Sequence, residues 1–125
     1  YLLDTNAFSM VLAGDPRLST HVRAMIESAD RVAVSAVSFY EIGQKVRIGK
    51  WAEMEPLVDE MHERAAEMGF DLLSITPTVA RDAGLLDWSH RDPFDRMIAA
   101  VALQEGVAVV SSDAAFDAVG VERVW

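Results

Sequence analysis

The chain has 125 residues, of which 51% are hydrophobic and 25% charged, so we expect a single domain over residues 1–125. Cysteine is absent, which excludes disulfide bonds and leaves oxygen and histidine as the ligands for any metal ion. The net charge of −9 disfavours broad, sequence-independent nucleic-acid binding, although an enzyme that grips phosphate through a metal stays compatible with it. It also suits a basic protein partner.

No apolar stretch approaches the ~20 residues of a membrane span, and no signal peptide opens the chain. We therefore expect a cytoplasmic protein that makes no use of a membrane. The chain begins inside an apolar segment and without methionine, so we also expect a short native segment ahead of Tyr1.

Short apolar runs alternate with amphipathic stretches along the chain. Residues 1–3, 32–35, 72–75 and 107–110 predict buried strands, and residues 121–125 predict an edge strand. The intervening patterns predict helices at residues 7–12, 19–29, 38–48, 56–68, 77–86 and 94–105. This alternation predicts an α/β fold with a parallel sheet and helices on both of its faces.

Four acidic residues stand where a core-forming pattern has no use for them. Asp4 and Asp113 follow predicted strands, Glu41 lies in the first turn after the second strand, and Asp95 begins an inward-facing helix. The carboxyl ends of parallel strands meet at one edge of a sheet, where ligands bind. Converging carboxylates repel unless a cation lies among them, and ligation by oxygen alone favours one or two Mg²⁺ or Mn²⁺ ions.

Each of these residues also has a purely structural interpretation. Asp4, Asp95 and Asp113 are suitable helix caps, and Glu41 can pair with Lys45 four residues later on a solvated helix face. Asp92 precedes a proline, where it can close the loop or cap the helix. The three histidines, His90 among them, show no metal-ligand spacing and are interpreted as surface or packing residues.

Residues 2–6, 35–42, 92–99 and 110–113 together resemble the motifs of PIN-domain ribonucleases, and the chain is most similar to VapC-type toxins of bacterial toxin–antitoxin pairs. The resemblance implies a PIN-like three-layer sandwich whose five-stranded parallel sheet has the order 3-2-1-4-5. It also implies a Mg²⁺- or Mn²⁺-dependent endoribonuclease toxin, with Asp4, Glu41, Asp95 and Asp113 as the acidic quartet that binds the ion. Thr5 and Asn6 match the small polar residues that support the ion or position phosphate.

The resemblance implies two macromolecular partners, an RNA substrate and a cognate antitoxin with a basic C-terminal segment. We expect a homodimer or a toxin–antitoxin hetero-oligomer. Arg96 is a candidate phosphate contact or a local counter-charge, and Lys45, Arg47 and Lys50 are a candidate RNA path or a solvated face. The segment 43–68 has more apolar residues than one buried stripe needs, so we predict that part of it forms a partner groove. The groove candidates are Val46, Trp51, Met54, Leu57, Val58 and Met61.

Two other functions stay open on the sequence. One is a catalytically silent PIN-fold binding module whose carboxylates hold a basic partner. The other is a phosphohydrolase or receiver-like domain with Asp4 as the nucleophile or phosphate acceptor. The absence of the lysine that receiver domains carry after a strand argues against this function.

Overall fold

The computed structural model describes residues 1–125, and a parallel sheet of five short strands lies at its centre. The strands stand side by side in the order β3-β2-β1-β4-β5, and every neighbouring pair is parallel, as predicted. Their bounds are β1 (Leu2–Leu3), β2 (Ala33–Ser35), β3 (Asp71–Leu73), β4 (Val109–Val110) and β5 (Arg123–Val124).

Six α-helices connect the strands and cover the sheet. They are α1 (Thr5–Ala13), α2 (Thr20–Glu27), α3 (Ala36–Arg47), α4 (Met61–Glu67), α5 (Pro77–Leu85) and α6 (Pro93–Glu105). Two 3-10 turns, Ala52–Met54 and Ala114–Val119, complete the elements. None of the helices combines the length and the apolar character that a bilayer crossing requires.

The sheet separates two hydrophobic cores, because successive residues of a strand point to opposite faces. Leu2 and Val109 belong to the core that includes residues of α5 and α6. Leu3 and Val110, one position further along, belong to the core that includes residues of α1, α2 and α4. All four side chains have no exposed surface, so β1 and β4 are fixed from both sides at the centre of the sheet.

The segment 52–68 departs from the prediction. We expected one long helix from Pro56, whereas the chain forms the 3-10 turn and then successive turns before α4 begins at Met61. Pro56 has no N–H to donate, and the neighbouring bonds span three residues, as in Leu57 N to Met54 O (3.0 Å) and Glu60 N to Leu57 O (3.2 Å). Met54 is 1% exposed, so the 3-10 turn is anchored to the core by this side chain.

The structure also moves one helix start. We expected Ser38 to cap the helix after β2, but the side chain of Ser35 accepts the capping bond from Val37 N, and α3 begins at Ala36. Glu41 therefore lies in the second turn of α3, where we had placed it in the first. Ser38 instead accepts a hydrogen bond from the Thr5 hydroxyl at 3.1 Å.

Candidate active site

Asp4 is the most buried acidic residue near the sheet edge. It follows β1 directly, has 4% of its surface exposed, and caps α1 by accepting a hydrogen bond from Ala7 N at Oδ1 (2.6 Å). Burial raises the pKa of Asp4 to about 6; the bonds from Ala7 and the Ser111 hydroxyl counteract this, and the charges of Asp95 and Glu41 add to it. Asp4 therefore does cap α1, as one interpretation predicted. A capping residue does not need to be this buried, so the cap alone does not explain its position.

Glu41 lies on α3 and is only 6% exposed. The predicted pairing with Lys45 is present, with 2.6 Å between Lys45 Nζ and Glu41 Oε1. The prediction that this pair lies on a solvated helix face is wrong, because the Glu41 side chain points into the protein. Its charge raises the pKa of both Asp4 and Asp95. The pair is therefore a counter-charge at the acidic site rather than a surface contact.

Asp95 lies in the first turn of α6, and a histidine meets it there. His90 Nε2 is 2.7 Å from Asp95 Oδ2. Burial raises the pKa of Asp95, the hydrogen bond from His90 lowers it, and the charges of Asp92 and Glu41 raise it. Asp95 does not cap the helix, because Asp92 does so by accepting a bond from Phe94 N at 2.8 Å.

Asp113 is the fourth acidic residue, and it follows β4, the neighbour of β1 on the side away from β2. It caps the 3-10 turn that follows β4, accepting a bond from Ala115 N at 2.8 Å. Ligand atoms of His90, Asp95 and Asp113 all lie within 4.8 Å of one another. Asp95 therefore links two sets of residues, one with Asp4 and Glu41 and one with His90 and Asp113.

His90 is the residue that sequence reasoning missed. We interpreted it as a surface or packing residue, and it does pack, with 4.7 Å between its ring centroid and that of Trp88. Its Nε2 nevertheless faces the cluster. The sequence did contain one indication of this role, because His90 lies only five residues before Asp95, in the loop that leads into the helix carrying this inward-facing carboxylate.

Arg96 takes neither of the roles that we predicted for it. Its guanidinium donates to five main-chain carbonyl oxygens, which belong to Ala83 (2.9 Å), Gly84 (3.3 Å), Leu86 (2.6 Å), Trp88 (2.8 Å) and His90 (3.0 Å). A guanidinium with five donors engaged has none left for phosphate. Arg96 therefore holds the loop between α5 and α6 in place.

The two polar residues after Asp4 differ in exposure. Thr5 is 4% exposed and donates to Ser38 (3.1 Å), so it ties α1 to α3, and its support of the ion stays a prediction. Asn6 is exposed, and its contact with phosphate stays a prediction.

The predicted partner groove loses two of its members. Met54 and Met61 are 1% and 8% exposed, so they belong to the core. Val46, Trp51, Leu57 and Val58 pack against the same core but stay partly exposed, and the groove stays a prediction on these four residues. The Lys45 ammonium also lies 4.9 Å from the ring centroid of Trp51.

A cavity of about 420 Å³ lies at the opposite, amino ends of β2 and β3, lined in part by Val32 and Phe70.

Comparison with known proteins identifies the fold family. A model of the PIN domain matches residues 1–122. The chain belongs to the PIN domain family. It is 33% identical over 116 residues, 90% of this chain and 85% of the relative, to a Mycobacterium tuberculosis protein named Ribonuclease VapC22.

Solved structures resemble this PIN domain over nearly its full length. FitAcB from Neisseria gonorrhoeae superposes with a TM-score of 0.73 at 23% identity, covering 99% of this chain and 96% of that one. VapBC2 from Rickettsia felis, solved with a fragment of promoter DNA, gives 0.74 at 14% identity, covering 100% and 98%. At these identities the likeness shows that the fold is shared.

The residues of this PIN domain fit a hard divalent cation. The cluster offers carboxylate oxygens from four segments of the chain, and such oxygens are the ligands that Mg²⁺ and Mn²⁺ prefer. A buried carboxylate such as Asp4 is costly to ionise without a nearby positive charge, and Lys45 contacts Glu41 rather than Asp4. An ion held by Asp4, Glu41, Asp95 and Asp113 would supply the missing charge.

Proposed function

We propose that this PIN domain is a metal-dependent endoribonuclease that hydrolyses RNA phosphodiesters and acts as the toxin of a toxin–antitoxin pair. The observation that carries the proposal is the buried carboxylate of Asp4 within reach of the charges of Asp95 and Glu41. Core packing alone gives no reason for such a set. Relatedness to a protein named as a VapC ribonuclease supports the choice of RNA.

Asp4, Glu41, Asp95 and Asp113 would hold one or two Mg²⁺ or Mn²⁺ ions. When bound, such an ion polarises a phosphodiester and lowers the pKa of a coordinated water molecule. Asp4 Oδ1 accepts from Ala7 N, and the Ser111 hydroxyl also bonds the carboxylate, so the orientation of this ligand is fixed by the protein. Asp113 is held in the same way through Ala115 N.

Asn6 would contact a phosphate, which its exposure two residues after Asp4 permits. Lys45 adjoins the cluster through Glu41; the exposed Arg47 ends α3, and the exposed Lys50 lies three residues beyond it. We assign these three basic residues to the path of the RNA backbone, because bound RNA needs positive charge and Lys45 starts their series at the acidic cluster.

Cleavage of defined structured RNAs with and without Mn²⁺ tests this function. We expect cleavage with the ion, none with a chelator, and a loss of at least about 100-fold in Asp4→Asn and Asp95→Asn, since the ion is the main source of rate enhancement. Asp59→Asn, at an exposed position far along the chain, removes one charge as a control and should cleave normally. Unchanged cleavage in Asp4→Asn would refute the assignment.

The cognate antitoxin is proposed as the second partner. The bond between Lys45 and Glu41 (2.6 Å) supports this proposal, because a carboxylate of the cluster already holds a basic side chain, and a basic C-terminal segment would provide another. The same observation favours the alternative of a catalytically silent binding module. That module would bind the basic partner equally well but would cleave no RNA with any divalent ion.

A further inference from the structure

The loop between α5 and α6 brings a nitrogen donor to a cluster that otherwise offers oxygen. His90 Nε2 lies 2.7 Å from Asp95 Oδ2, and it belongs to the group of ligand atoms within 4.8 Å of one another that also includes Asp113. The sequence-based quartet contains no nitrogen ligand, so His90 adds a chemical property that the quartet lacks.

The His90 ring is held in place by its surroundings. One face packs against Trp88, whose own ring is 5.6 Å from that of Phe116 and 9% exposed as a residue. The main chain at Trp88 and His90 is bound by Arg96 Nη1 at 2.8 and 3.0 Å. The orientation of Nε2 is therefore built into the loop and is not that of a free surface side chain.

We propose that His90 is a ligand of the divalent ion and that it makes the site prefer Mn²⁺ to Mg²⁺. The proposal rests on the proposed function, because it uses the same cluster. Mg²⁺ demands octahedral oxygen coordination and keeps much of its water. Mn²⁺ also prefers oxygen, but it belongs to the transition-metal series that binds nitrogen ligands, so one imidazole favours it over Mg²⁺. As a ligand, the His90 ring is neutral and carries its hydrogen on Nδ1.

The distances permit this coordination with little movement. Two atoms bound to one ion at roughly 2.1 Å lie at most about 4.2 Å apart, and the ligand atoms here are already within 4.8 Å of one another, so small shifts of the side chains bring them within reach of one ion. The competing role for His90 is to orient Asp95 by a hydrogen bond. That role would affect the two ions alike, because both use Asp95, and the comparison between ions therefore separates the roles.

Calorimetric titration of the purified chain with Mn²⁺ alone and Mg²⁺ alone provides the first test. In His90→Gln we expect the Mn²⁺ affinity to fall about tenfold or more and the Mg²⁺ affinity to change less than about threefold, within the range that ligand-shell changes produce. His62→Gln, at an exposed position of α4, is the matched control and should leave both affinities unchanged. Equal losses for the two ions, or no loss, would overturn the proposal.

Pulsed electron paramagnetic resonance of the Mn²⁺-loaded chain gives a second readout that does not depend on activity. Nitrogen modulation from a bound imidazole is expected in the parent and in His62→Gln and should be missing from His90→Gln. Modulation that persists in His90→Gln contradicts the assignment. A parent chain that binds neither ion would remove the proposed function as well, whereas ion binding that ignores His90 removes only the histidine ligand.

Discussion

Arg96 Nη2 donates to the main-chain carbonyl oxygen of Leu86 at 2.6 Å, and this is the shortest of the five bonds by which one side chain fixes the loop before α6. The carbonyl groups it binds extend from Ala83 at the end of α5 to His90 beside Asp95. A residue with no direct contact to the carboxylates thus determines where part of the candidate site lies.

Replacing Arg96 with lysine should lower the free energy of unfolding by about 2 kcal/mol, because an ammonium cannot reproduce the planar fork and leaves several carbonyl groups without a partner. Urea denaturation measures the change, and hydrogen exchange should show faster exchange within residues 84–91. Arg81→Lys serves as the control, since Arg81 is exposed and pairs only with its neighbour Asp82. A change in Arg96→Lys as small as that of the control would contradict the clamp.

The Asp4→Asn variant should be more stable than the parent at neutral pH in the absence of metal. The pKa of Asp4 is about 6 in the fold against an ordinary 3.8, so the folded state binds more protons between these values. Stability therefore falls as the pH rises from 3.8 to about 6, by about 3 kcal/mol in total, and stays reduced above that. Asparagine preserves the cap and removes this loss.

Thermal unfolding at about pH 7.5 and about pH 4 checks this prediction, since the advantage of Asp4→Asn should nearly vanish at the lower pH. Added Mn²⁺ should raise the melting temperature of the parent and not that of the variant. A variant that is less stable than the parent at both pH values would show that the ionised carboxylate is favourable in the fold.

Asp92 and Asp95 should respond differently to substitution although they lie in one helical turn. Asp92→Ala removes the cap on Phe94 N and should cost about 1 kcal/mol of stability with cleavage nearly intact. Asp95→Asn should abolish cleavage and weaken Mn²⁺ binding while the fold stays stable. Parallel denaturation and cleavage assays compare the two, and a loss of metal binding in Asp92→Ala would make Asp92 part of the site.

The double variant Arg47→Gln and Lys50→Gln should raise KM for RNA several-fold at low salt and leave kcat almost unchanged. Both residues are exposed, Arg47 at the end of α3 and Lys50 three residues beyond it, so they contribute attraction to phosphate and not chemistry. The effect should shrink above about 0.3 M salt, because counterions screen exposed charges. Arg64→Gln on α4, a partly exposed residue that pairs with Glu60, is the control for the loss of a positive charge away from α3. A kcat effect without a KM effect would place Arg47 or Lys50 nearer the chemistry.

Much of the fold follows from the sequence because its determinants are local. Apolar runs without alternation mark the central strands that are buried on both sides, and their alternation with helices leaves few parallel arrangements. The prediction that the run at residues 72–75 is buried is wrong, because β3 lies at the edge of the sheet and Leu72 is 45% exposed. The structure confirms the sheet order that the resemblance implied and the predicted helix start at Pro77, where Thr76 accepts from Val79 N at 3.2 Å. The break in the segment 52–68 could not be read in the same way, because it depends on where Met54 finds room in the core.

The residues of the candidate site also differ in whether the sequence alone reveals their roles. Asp4, Glu41, Asp95 and Asp113 are recognisable because a carboxylate at the end of a buried strand or on an inward face has no role in packing. The loop roles of Arg96 and His90 are not recognisable, since they arise only when residues 83–90 fold back over the start of α6. Nothing in their spacing distinguishes a clamp from a phosphate contact, or a site histidine from a packing one.

The pairing of Leu2 with Val109 has a consequence for the order of events during synthesis. The strand that carries Asp4 is made first, yet its neighbour β4 leaves the ribosome roughly 100 residues later, and contacts of such long range form slowly. Any activity that requires Asp4 and Asp113 together is absent from the nascent chain. The full set of candidate ligands is therefore assembled only after β4 and Asp113 have been synthesised.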